Sequence, residues 1–287
     1  MIFDYIILII VIAALIIGSL SDIKTREVPD WLNYGLIFIG FGLRVIYSCA
    51  ANDWSYIIHG ALGFAIFFAL ACAMFYGGQW GGGDAKMMMG LGALIGFRPR
   101  IDDFSVGFVL NAFLIGAVYA LIWSTALAIS KWGPFVSEAK KTLHAERMRK
   151  MKKILFVSAV VILVLALFID DFMTKIMLFT FVLFCLSTFY LFVFIRAIEK
   201  VCMLKLVDPE RLTEGDWIAK DVVVGGKKIC GPKDLGITMA QIKRLIALKK
   251  QKKINKILIK EGIPFVPSFL VAFISAYLFG NLFLIFV

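Results

Sequence analysis

Apolar residues run through this chain in long unbroken blocks, without the alternation of a half-buried strand or the one-sided stripe of a surface helix. The blocks lie near residues 5–21, 33–50, 56–76, 85–97, 104–130, 154–170, 176–195 and 265–286, with polar segments between them. Roughly 17 to 25 apolar residues let a helix cross a bilayer with its backbone groups satisfied internally. The pattern therefore predicts an all-α polytopic membrane protein with about eight transmembrane helices, six being the smaller core count. The block at 85–97 is the shortest. The first block is not read as a cleavable signal, because "MIFDY" lacks a basic n-region and no small-residue cleavage site follows.

Two of the polar segments are long. Residues 131–153, within "KWGPFVSEAKKTLHAERMRKMKK", form a basic link expected to be partly helical and to lie against lipid headgroups. Residues 196–264 predict a small cytoplasmic α+β domain, in which "DWIAKDVVVGGKKICGP" reads as two strands around a Gly-Gly turn. Within that domain "TMAQIKRLIALKKQKK" reads as an amphipathic helix capped by Thr238. The expected organisation is a membrane core at 1–130, the link at 131–153, two further membrane helices at 154–195, the small domain at 196–264 and a C-terminal membrane helix at 265–287.

Composition agrees with lipid as the solvent: 61% of the 287 residues are hydrophobic and 18% charged, with a mean hydropathy of +0.90. A soluble globule is excluded. Charge then sets the orientation. If the N-terminus is outside, every Lys and Arg except Arg44, Arg98, Arg100 and Lys175 lies in cytoplasmic segments or at a helix mouth, as the positive-inside rule requires. Both termini are therefore placed outside. A basic face beside anionic lipid accounts for the net charge of +11 without nucleic acid. Cys49, Cys72, Cys185, Cys202 and Cys230 are scattered, and His59 and His144 are isolated, so neither a disulfide framework nor a metal site is expected.

What remains is a pair of carboxylates on one membrane face. Asp22 ends the first block in "GSLSDIKTREVPDWLN", and Asp84 precedes the fourth in "QWGGGDAK". A helix C-terminus disfavours negative charge, so Asp22 is hard to explain as packing, whereas Asp84 has a plain alternative as a helix cap. Gly81, Gly82 and Gly83 permit backbone approaches that a Cβ would forbid, which suits an extended strand laid beside Asp84. Helix-end electrostatics lead us to expect a charged Asp84 and a protonated Asp22.

Gly81-Gly82-Gly83-Asp84 resembles the GxGD signature of membrane aspartyl proteases, and Asp22 to Pro29 resembles the Asp-x-x-x-x-x-(Ile/Val)-Pro motif of the type IV prepilin peptidase family. Bacterial members commonly carry a four-cysteine zinc module, absent here, and nothing suggests a methyl-donor site. The later cytoplasmic domain followed by "GIPFVPSFLVAF" is similar to archaeal members, including preflagellin (prearchaellin) peptidases. The presenilin branch pairs GxGD with Tyr-Asp and Pro-Ala-Leu motifs; here Ser21 precedes Asp22, and Pro-Ala-Leu is missing around Pro264 and Pro267.

The resemblance implies an aspartic endopeptidase with Asp22 and Asp84 as its catalytic pair and no metal or other cofactor. Its partners would be pilin-like or archaellin precursors, cut at the cytoplasmic face ahead of a hydrophobic helix, with membrane lipid around it. Glu27 and Asp30 are candidates to attract a basic leader peptide. Two rival classes stay open: a presenilin-like intramembrane protease, and a non-enzymatic cation carrier, for which the spans between 104 and 195 offer few polar residues.

Overall fold

The computed structural model describes residues 2–100 and 103–285. The helices, in chain order, are α1 (Ile2–Thr25), α2 (Asp30–Ala51), α3 (Ser55–Tyr76), α4 (Gly82–Ile95), α5 (Phe104–Ser130), α6 (Trp132–His144), α7 (Glu146–Leu167), α8 (Phe172–Ile198), α9 (Met239–Lys250) and α10 (Val266–Phe279). Five short strands join them: β1 (Leu204–Val207), β2 (Trp217–Ile218), β3 (Val222–Val224), β4 (Lys227–Cys230) and β5 (Ile257–Lys260). The protein is thus mostly helical, with a small strand-containing region towards the C-terminus.

Helices α1, α2, α3, α5 and α8 are long and apolar enough to cross a membrane. The other three apolar blocks take different forms. Those at 85–97 and 265–286 give the 14-residue helices α4 and α10, each about 21 Å long at 1.5 Å per residue and so short of a ~30 Å hydrocarbon core. Both stop at a glycine with positive φ, Gly96 after α4 and Gly280 after α10; residue 286 lies outside the described residues. The block at 154–170 occupies the second half of α7, whose first turns are the charged "ERMRKMKK". Good helix formers and no breaker let that helix begin within the basic link.

The chain divides into two units. One comprises Met1–Trp123, Pro209–Asn255 and Gly262–Val287; the other comprises Ser124–Asp208 and Lys256–Glu261. In the first unit the core gathers around α4, with Met87, Met88, Leu91 and Leu94 fully buried beside Leu15, Phe67, Phe108 and Phe269. Glycines let the backbones approach this closely: a methyl group at Gly63 of α3 would collide with the backbone of Gly92 and Gly96.

Arg44 of α2 closes the far end of α4. It is buried, and it donates to the carbonyls of Ala93 at 2.8 Å, Leu94 at 2.6 Å and Tyr56 at 2.7 Å. The last carbonyls of a helix lack intrahelical partners and carry partial negative charge, so a guanidinium is well matched to them. The sequence places Arg44 among the outer charges; the structure spends it inside.

This unit also holds the expected hairpin, β3 and β4 pairing antiparallel around Gly225 and Gly226, both at positive φ, as a tight two-residue turn demands. Thr238 caps α9, accepting from the Gln241 amide while the Gln241 side chain takes the Thr238 N–H.

In the second unit α6, α7 and α8 pack through Phe135, Ala197 and Ile198 and through Met148, Phe189 and Val193. β1 and β5 pair antiparallel there, from Leu204 opposite Lys260 to Val207 opposite Ile257.

Candidate active site

The first aspartate sits where α1 ends. After Thr25 the chain turns at Arg26, whose φ of +62° is left-handed, and the Arg26 N–H closes on the Asp22 carbonyl at 2.9 Å. The Ser21 hydroxyl donates to the Glu27 carbonyl at 2.8 Å. Pro29 then opens α2, and a residue that precedes proline, as Val28 does, is steered away from the helical region. Asp22, three residues inside the helix end, is 5% exposed.

Its carboxylate does not face the C-terminal dipole of α1 alone. Oδ2 accepts the backbone N–H of Val266 at 3.0 Å, the first residue of α10, so the positive end of a second helix offsets the unfavourable end of the first. Sequence reasoning missed this contact. Its one signal was Pro267, a residue favoured in the opening turn of a helix.

The second aspartate is set by the turn between α3 and α4. Gly78 takes φ +67°, and Trp80, 3% exposed, anchors the turn against Phe269, Phe113 and Phe265 with ring centroids 5.2, 6.1 and 6.2 Å away. Gly81 is extended and caps α4. Its N–H donates to Asp84 Oδ2 at 3.0 Å, so Asp84 does serve its own helix end as well. Gly82 and Gly83 form the first helical turn. A methyl on Gly83 would lie 3.2 Å from Val28 Cβ, tighter than an ordinary contact, so it is Val28 of the first motif that exploits this missing Cβ.

The two carboxylates lie within electrostatic reach of each other. Burial first, and the Asp22 charge second, push the Asp84 carboxyl up to about 7, against the Gly81 N–H that favours its charged form. Desolvation thus outweighs the helix end that led us to expect a charged Asp84. Glu27 and Asp30 remain on the exposed surface. Asp30 pairs with Lys86 of α4 at 2.6 Å, which neutralises much of the charge read as a leader attractant. Among the described residues no group of three or more His, Cys, Asp or Glu is placed to hold a metal ion.

A mostly helical protein with membrane-length spans and two interacting carboxylates near their ends is the class defined by fold and site. Residues 9–121 match the type IV leader peptidase family, the stretch that carries both aspartates. The chain is 31% identical over 139 residues to the preflagellin peptidase of Methanococcus maripaludis, covering 48% of this chain and 60% of that protein. It is 28% identical over 141 residues to the preflagellin peptidase of Methanocaldococcus jannaschii, covering 49% and 60%. Against prepilin peptidase EppA of Methanothermobacter thermautotrophicus it is 30% identical over 110 residues, 38% of this chain and 28% of that one. The match therefore spans about 60% of the length of the two preflagellin peptidases. No solved structure matches. The resemblance drawn from the two motifs, to archaeal prepilin and preflagellin peptidases, holds for the N-terminal half of the chain.

Proposed function

We propose that the chain is an aspartic endopeptidase that removes the short basic leader from pilin-like or archaellin precursors at the cytoplasmic membrane face. The observation that carries this reading is the pairing of Asp22 and Asp84. Two motifs remote in sequence put two carboxylates within each other's field, and Gly83 lets their loops touch at Val28.

Two such groups do not ionise together, so the pair holds one proton and titrates as a unit. The direction at Asp84 favours it as the first holder of that proton. The ionised partner takes a proton from water as the water oxygen adds to the scissile carbonyl carbon. The protonated member gives its proton to the carbonyl oxygen. Collapse of the tetrahedral intermediate breaks the C–N bond. The nitrogen leaves with a proton from the dyad, and the new carboxyl group stays on the leader. The relatives' names, and the position of both aspartates near the ends of apolar helices, support a cut beside a hydrophobic segment.

The test is incubation of purified wild type, Asp22→Asn and Asp84→Asn with archaellin and pilin precursors, with new N-termini read by mass spectrometry. Cleavage ahead of the hydrophobic segment by wild type, reduced roughly 10⁴-fold or more in either variant, is the expected result. Undiminished cleavage by a folded variant removes that aspartate from the mechanism.

A further inference from the structure

Beside Asp22 lie two hydrogen-bond donors that the dyad does not use. Arg26 occupies the left-handed position after α1, where glycine carries no steric penalty and arginine does. Its guanidinium lies over the ring of Trp123, 5.3 Å from the centroid. One turn earlier on α5 is Tyr119, its ring centroid 5.9 Å from that of Trp123. The indole thus brings a phenol and a guanidinium to one place. The Asp22 carboxylate is within electrostatic reach of both.

Neither donor is spent. Among the described residues, Tyr119 Oη and Arg26 Nη1 are buried atoms without a hydrogen-bond partner. Buried polar groups are nearly always satisfied, and orphans call for an explanation. A guanidinium nitrogen only donates, and a phenol donates readily. Two unspent donors next to a carboxylate that activates water make a fitting place for an oxygen that gains negative charge.

We propose that Tyr119 Oη and Arg26 Nη1 hydrogen-bond the carbonyl oxygen of the scissile peptide, an inference that rests on the aspartic endopeptidase reading. As water adds to the carbonyl carbon, the C=O π pair moves onto this oxygen and both bonds strengthen. Neither donor gives up its proton, since the dyad protonates the oxygen. Trp123 acts as a positioning residue that holds the guanidinium. The two donors steady the charge that gathers on the carbonyl oxygen as the dyad's proton is transferred to it.

The experiment uses the full chain in detergent with a precursor that wild type cleaves, and compares Tyr119→Phe, Arg26→Gln and Arg26→Lys with Asp84→Asn. Tyr119→Phe is expected to lower kcat about a hundredfold and leave KM within about twofold, because the bond strengthens only as charge develops. Arg26→Lys should retain more activity than Arg26→Gln, since an ammonium still donates. A purely structural role would instead lower thermal stability without that split between kcat and KM. Full kcat in Tyr119→Phe, alongside an inactive Asp84→Asn, overturns the inference and leaves the peptidase reading standing. Precursor cleavage that survives both Asp22→Asn and Asp84→Asn, or no cleavage by wild type, overturns both. Should Arg26→Gln fail to fold, Tyr119→Phe, which loses one oxygen, decides alone.

Discussion

Helices α4 and α8 invert what their sequences advertise. α8 is 27 residues of dense hydrophobicity, yet only Val182, Phe189, Val193, Ala197 and Ile198 are buried along it, and Phe184 is 67% exposed. α4 has half that length and three glycines after its aspartate counted with its cap, yet Ala85, Met87, Met88 and the run from Gly90 to Leu94 are all enclosed. Hydropathy reports which solvent a surface tolerates, and lipid tolerates α8. Burial between helices is reported by small residues, because backbones pack closely only where no Cβ intervenes. Of the two, the helix that carries Asp84 is the one held by protein on most sides.

That contrast can be broken at α4 and tested at α8. The largest effect is expected from Gly63→Leu, whose side chain has to enter the backbone of Gly92 and Gly96; size-exclusion chromatography in detergent should recover no monodisperse protein. Next is Arg44→Met, which strands the carbonyls of Ala93 and Leu94 and removes a bond to that of Tyr56. At roughly 1–3 kcal/mol for each stranded group, a loss of about 3 kcal/mol or more should appear in denaturant unfolding.

A pH series gives a smaller, signed effect. The fold raises Asp84 to about 7 from an unfolded value near 3.9, so folding favours the protonated form. This contribution is fully present below about pH 4 and is lost as pH rises through about 7. Thermal melting of wild type should fall across that window, and Asp84→Asn should flatten the fall; an equally steep fall in the variant would refute the assignment. The smallest change belongs to α8: Phe184→Ala should alter stability by less than about 0.5 kcal/mol, and a larger loss would mean that this face is covered by protein.

Much of the site is legible in the chain because its parts are local. Asp22 with Pro29, and the glycines with Asp84, are short motifs whose chemistry follows from neighbours. The Gly225-Gly226 hairpin and the Thr238 cap are legible for the same reason. Val266 is not, because its contribution is a backbone amide, which no side chain announces. Arg44 misleads because charge counting treats an arginine near a span end as wet, while three carbonyls take it dry. The direction at Asp84 runs against the helix-end expectation, since a helix end is visible in sequence and desolvation is not.

The bond between Val266 and Asp22 joins residues 244 positions apart. A ribosome making this chain produces the first aspartate 244 residues before its amide partner. Until residue 266 has emerged, Asp22 lacks the donor that its buried carboxylate accepts, and the nascent chain holds both acidic residues in an incomplete arrangement. Assembly of the centre thus waits for residue 266, and a product stalled or clipped before that point cannot carry the finished site.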